Sequence, residues 1–160
     1  MYSRFGKVFY FFMVFGFIFF LLYFYSAMPE TVQYQPDSPT EHGRDAFFYS
    51  IIALFVVCNL VVLLPPKLLE TKTHNGLHKL FPVGDDYRDY FLAWFYTFGA
   101  ILNTCLLVMV FFVHAINNQE GINASEFNFF FYLIPLLLVI WVIAFFILLV
   151  NKFKQVRLDS

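Results

Sequence analysis

Residues 90–115, YFLAWFYTFGAILNTCLLVMVFFVHA, leave this chain few choices. About 20 apolar residues suffice to cross a bilayer as a helix, and this run contains no Asp, Glu, Lys or Arg. In lipid every backbone N–H and C=O must find its partner within the chain, which a helix arranges for all of them. On a wheel of about 100° per residue the run has two unlike sides. Ala93, Thr97, Ala100 and Thr104 form a small stripe, beside a polar one of Tyr96, Gly99, Asn103 and His114. Phe91, Trp94, Phe95, Phe98, Leu102, Met109 and Phe112 are large and apolar. Lipid tails are as apolar as leucine, so helices associate there through close approach of small residues and shared polar contacts. The pattern predicts that the small and polar side faces protein and the bulky side faces lipid.

Three further apolar runs complete the set, giving spans at 8–26, 46–64, 90–115 and 127–150. Only 13% of residues are charged and 61% are hydrophobic, where soluble domains carry about 25% charged residues. The expected fold is an all-α integral membrane protein, a single domain of four transmembrane helices in a bundle. The first run follows Arg4 and Lys7 and is longer than the apolar core of a signal peptide, which predicts a retained anchor. Eleven of the eighteen residues in 8–25 are Phe or Tyr, which fits lipid-facing rings with interfacial tyrosines. In the second run Ala46, Ser50, Ala53 and Val57 make another small stripe. Ala53 and Val57 are expected to meet Ala100 and Thr104, and Pro65-Pro66 to end the helix. Asn59 and Asn103 read as interhelical glue, contributing about 0.6–2 kcal/mol. Pro135 predicts a kink in the fourth span. Cys58 and Cys105 lie inside apolar runs and read as small hydrophobes.

The segments between the spans carry the remaining candidates. Residues 28–45 form an acidic outer loop held out of regular helix by Pro29, Pro36 and Pro39. Glu41, His42 and Asp45 can be drawn as a metal cluster, but a loop offers neither fixed geometry nor supporting hydrogen bonds. Residues 66–89 mix Lys67, Lys72, Lys79 and Arg88 with Leu68, Leu69, Leu77, Leu80 and Phe81, a pattern suited to the headgroup surface. His74 and His78 stand four apart, as zinc ligands on a helix do. Asn75-Gly76 between them favours a turn, and the glutamate of a zinc protease is missing. Asp85, Asp86 and Asp89 suit the N-terminus of the third helix, with a catalytic pair as the sharper alternative. In the second outer loop, 116–126, Asn123-Ala124-Ser125 matches a glycosylation sequon, and Ser125 is placed to cap the fourth helix.

Of the ten Lys and Arg residues, only Arg44 lies in an outer loop; the other nine lie before the first span, in 66–89 or in the tail. The positive-inside rule then predicts both termini and residues 66–89 in the cytoplasm.

Met28-Pro29-Glu30-Thr31-Val32, a polar stretch, a Gly and then an apolar helix are similar to the start of the DUF1648 membrane proteins, with Gln33 and Gln35 where those carry Pro and His. More of the chain resembles uncharacterised four-span membrane proteins of Bacteroidota. The likeness rests on the Pro-Glu-x-Val loop, Arg44 with Phe47, Phe48 and Tyr49, on Asn59 and Asn103, and on Pro135, Leu137 and Trp141. It implies the four-span topology and leaves activity open.

The reading that follows is a non-enzymatic accessory or assembly subunit of the bacterial inner membrane, packing against a larger membrane complex. It has no cofactor, no metal and no nucleic-acid partner. Its packing residues are Ala93, Thr97, Gly99, Ala100, Asn103 and Thr104 on the third span, with Ala46, Ser50, Ala53 and Asn59 on the second. A transporter or channel component, or an outer-loop sensor, is the alternative. A metal enzyme using His74, His78 and the nearby aspartates at the membrane surface ranks below both.

Overall fold

The computed structural model describes residues 1–34, 41–71, 75–118 and 128–158. Four helices are long and apolar enough to cross a membrane: α1 (Tyr2–Ala27), α2 (Arg44–Glu70), α4 (Asp86–Asn117) and α5 (Phe130–Leu158). A two-strand antiparallel hairpin, β1 (Thr31–Val32) and β2 (His42–Gly43), joins α1 to α2. A short helix, α3 (Asn75–Leu80), lies between α2 and α4, where the Asn75-Gly76 pair had predicted a turn.

Helix α4 is the centre, and α1, α2 and α5 each pack on it. Half of its apolar window is buried (50%), against 22% in α1, 22% in α2 and none in α5. Small residues let α1 come closest. A Cβ on Gly6 would lie 3.2 Å from the Ala93 carbonyl oxygen, and one on Gly99 would lie 3.0 Å from two ring carbons of Tyr10. The glycines thus act here by leaving room for a neighbour.

Two ends of the bundle are distinguished by what they hold. At one, the start of α1, the end of α2, the start of α4 and the end of α5 come together. Asp89 accepts from the backbone N–H groups of Tyr2 (2.8 Å) and Ser3 (3.3 Å) and from the Ser3 hydroxyl. It thereby caps α1, whose own first residue offers no side-chain cap. Asp85 caps α4 by accepting from Tyr87 N (3.0 Å), as its acidic start predicted, and also meets the Lys152 ammonium. At the other end Met28 and Val32 seal a core of Phe17, Leu21, Phe47, Ile51 and Val110. The Asn117 carboxamide there pairs with the Gln33 backbone as a neighbouring strand would, donating to its O (2.8 Å) and accepting from its N (2.8 Å).

Three expectations are corrected. Helix α2 does not end at Pro65-Pro66 but continues to Glu70. The prolines remove N–H donors, and tertiary contacts compensate. Leu69 is fully buried with Phe81, Phe91 and Leu92, and the Arg88 guanidinium donates to the carbonyls of Leu69 (3.0 Å) and Phe81 (3.1 Å). Next, the bulky side of α4 is not a lipid face throughout. Phe91 is buried, and Trp94 and Phe95 pack against Phe145 of α5. Finally, Ala53 and Val57 do not meet Ala100 and Thr104. The whole α2 stripe of Ala46, Ser50, Ala53 and Val57 is exposed, and α2 instead turns Phe47, Ile51 and Val62 inward. Large side chains bury more area per contact, and Phe55 stacks on Phe17 at 4.5 Å on the inward side.

Candidate functional site

A polar seam runs into the bundle where α1, α2 and α4 meet, and it begins with a pair of amides. Asn59 Nδ2 donates to Asn103 Oδ1 (2.9 Å), while Asn103 Nδ2 donates back to Asn59 Oδ1 (3.1 Å). The Tyr10 hydroxyl donates to the same Asn59 oxygen (2.7 Å), and Asn59 Nδ2 also donates to the Phe55 carbonyl (2.7 Å). An amide has two N–H donors and an oxygen with two lone pairs, so Asn59 is fully used. Asn103 is completely buried. The pairing of α2 with α4 through these amides arises without the meeting of the small stripes.

Two turns nearer the terminal end along α4, Tyr96 is buried in an edge contact with Tyr10, the ring centroids 6.0 Å apart. Its hydroxyl donates to Glu70 Oε1 (3.1 Å). Glu70 is also held by Lys7 (2.6 Å) and Lys67 (3.2 Å), and the Lys7 ammonium sits over the Tyr96 ring at 5.2 Å. One carboxylate therefore ties α1, α2 and α4 together. Its position follows from the continuation of α2 past the two prolines, which carries Glu70 alongside α4.

The predicted packing residues divide into three groups. Gly99, Ala100 and Asn103 are buried at the seam, with Asn59 half-buried across from them. Ala93, Thr97 and Thr104 are half-buried. Ala93 lies under Gly6, whereas the Thr97 oxygen accepts from Trp141 Nε1 (3.3 Å) of α5. Ala46, Ser50 and Ala53 face outward, away from the seam. Tyr10, Glu70, Lys152 and Asn117 were missed. Tyr10 stands one turn after Gly6 in a run so rich in rings that none stands out. Glu70 looked like one charge of a loop, and Lys152 like a topology signal. The spacing of Gly6 and Gly99 against facing aromatics was the only available signal for the first of these.

The other candidates are used locally. Asp45 accepts from the Tyr25 hydroxyl (2.6 Å), and the His42 ring stacks on Tyr34 at 4.5 Å; Glu41 is exposed. His78 Nδ1 lies 3.3 Å from an Arg88 nitrogen, and its Nε2 is buried without a partner. His114 is buried against Phe24, ring centroids 4.6 Å apart, and its Nδ1 has no partner. Cys58 and Cys105 are free and half-buried. Among the described residues no group of three or more His, Cys, Asp or Glu is arranged to hold a metal ion. His74, the sequon Asn123-Ala124-Ser125 with its capping serine, and the first residue of the predicted fourth span, Phe127, lie outside the described residues.

Chemically, the seam is a set of donors and acceptors directed at one another across three helices. In a low-dielectric interior such closed pairs rigidify an arrangement. That suits holding helices in register. Compared with known proteins, the chain matches no family model, no curated protein and no solved structure.

Proposed function

We propose that this chain is a small, non-enzymatic accessory or assembly subunit of a bacterial inner membrane complex, with both termini in the cytoplasm. The observation that carries the reading is the outward α2 stripe. Ala46, Ser50, Ala53 and Val57 are exposed on a helix whose inward contacts are made by other residues, Phe47, Ile51, Asn59 and Val62 among them. Small residues at helical spacing let a second helix approach closely in lipid, where van der Waals packing and lipid entropy drive association. A lipid-facing surface has no such need. The interior seam gives further support, because a rigid three-helix unit presents that stripe in a constant orientation.

Orientation draws on charge. The end that gathers Lys7, Lys67, Arg88 and Lys152 contrasts with the hairpin end, where Arg44 is the one Lys or Arg among the described residues. Basic segments stay on the cytoplasmic side.

The test is extraction of the tagged protein from native membranes in mild detergent, followed by mass spectrometry of what remains bound. A stoichiometric larger membrane partner is expected, and Ala53→Leu should release it while leaving the chain folded. Recovery of the wild-type chain alone as a monomer overturns the reading.

A further inference from the structure

His114 is the single histidine of residues 90–115, a run without Asp, Glu, Lys or Arg. It follows Asn103 by about three helical turns and shares the buried side of α4 with it. Its side chain is only 5% exposed. The ring lies against Phe24 of α1, centroids 4.6 Å apart, and Phe24 meets Phe111 at 5.4 Å. Nδ1 is buried and has no hydrogen-bond partner. A neutral imidazole carries one N–H and one acceptor nitrogen, whereas in the charged ring both nitrogens donate. Charging His114 in place therefore sets a cation among apolar neighbours with nothing to accept at Nδ1, and such burial is costly.

The charges at this end of the bundle do not offset that cost. From α1, the Tyr25 hydroxyl donates to Asp45 (2.6 Å). From α2, Asp45 lies 4.0 Å from Arg44 Nε, while the Arg44 guanidinium sits over the Tyr25 ring at 4.7 Å and donates to the Met28 carbonyl (3.0 Å). On the hairpin side, His42 stacks on Tyr34, and Glu30 and Glu41 are exposed. Among the described residues no carboxylate pairs with His114. Its ring partner Phe24 belongs with Met28, Val32, Val110 and Val113 to the core that seals this end. Parting the ends of α1 and α4 would break that seal and admit water to both ring nitrogens.

We propose that His114 is a proton-operated latch. Neutral, it lets the ends of α1 and α4 close at the hairpin end; protonated, it holds them apart. A hydrated imidazole takes up its proton near pH 6.5. With the closed form neutral and the open form free to charge, a fall from about pH 7.5 to about pH 5.5 raises the open-to-closed ratio about tenfold. The side from which acid acts, the outside, rests on both termini being cytoplasmic; the latch itself does not.

The test places spin labels at Ala27→Cys on α1 and Asn118→Cys after α4, both exposed positions, in the full chain carrying Cys58→Ala and Cys105→Ala. Lipid nanodiscs expose both ends to one buffer, so the result does not depend on orientation. Double electron–electron resonance then reads the distance between the labels at about pH 7.5 and about pH 5.5. A longer-distance population is expected to grow in acid, about tenfold relative to the shorter one. His114→Phe should abolish the response, and His42→Gln, at the same end, should keep it. Labels at Arg4→Cys and Tyr90→Cys, exposed at the opposite end, should not respond. A distribution independent of pH with His114 intact, a response that survives His114→Phe, or an equal response at both ends would each overturn the proposal. If His114→Phe fails to fold, His114→Gln removes the titrating ring and gives the same readout.

Discussion

The contacts that α4 makes with α1 and with α5 differ in kind. Against α1 it offers glycine and alanine, so Gly6 and Gly99 bring backbone and ring within about van der Waals distance, and Asn103 closes an amide pair beside them. Against α5 it offers Trp94, which donates to the Trp141 carbonyl (2.8 Å) and lies 4.4 Å from the Phe145 ring. That second contact is clasped at its end by Lys152, buried against Asp85 with a further hydrogen bond to Gln155 (3.0 Å) and the Tyr87 ring 5.5 Å away. Close contact through small residues leaves no room for an added methyl. Aromatic contact tolerates change along its length and concentrates its sensitivity at the ionic clasp.

Substitutions can break or sharpen this contrast, and the largest effect is expected at the clasp. Lys152→Met leaves a buried carboxylate without its partner and should cost about 3 kcal/mol. Because α5 packs chiefly on α4, hydrogen exchange should rise in α5 while α1 stays protected. The pair Asp85→Asn with Lys152→Met should recover most of the loss, and equal exchange throughout the bundle would contradict an α5-specific clasp. Gly99→Val comes next, at about 2 kcal/mol from overpacking against Tyr10 and Val62. A lowered thermal midpoint in micelles, with loss of the α1–α4 contact first, is the readout.

Asn103→Ala should cost about 1 kcal/mol, within the range for interhelical hydrogen bonds in lipid. A double-mutant cycle with Asn59→Ala should show coupling, because either single change strands the other amide; additive effects would separate the two residues. The smallest change is Trp141→Phe. It removes a long hydrogen bond to Thr97 (3.3 Å) and should shift stability by about 0.5 kcal/mol. A loss as large as that of Gly99→Val would erase the distinction between the two contacts.

Particular residues show how much was legible beforehand. Asp85 as the start of α4 could be read from acids ahead of an apolar run, because a helix dipole acts locally. Asn59 and Asn103 could be recognised as polar groups at membrane depth, though not as each other's partner. Pro65-Pro66 misled, since a proline's local cost is known from the sequence but the burial of Leu69 and the bonds from Arg88 are not. The α2 stripe misled for a related reason. Two small faces can meet, but so can two large ones, and the sequence contains no measure of which buries more.

The amino-acid sequence alone determined the four helical spans and the grouping of charges at their ends. Both follow from a solvent that admits no open backbone and little charge, a constraint acting on each segment separately. The tertiary structure alone decided that α4 sits at the centre, that Glu70 and Tyr96 join three helices, and that Ala46, Ser50, Ala53 and Val57 face outward. Those outcomes depend on how whole faces fit one another. Inside lipid no general hydrophobic force ranks the faces in advance, so close packing and paired polar groups decide among them.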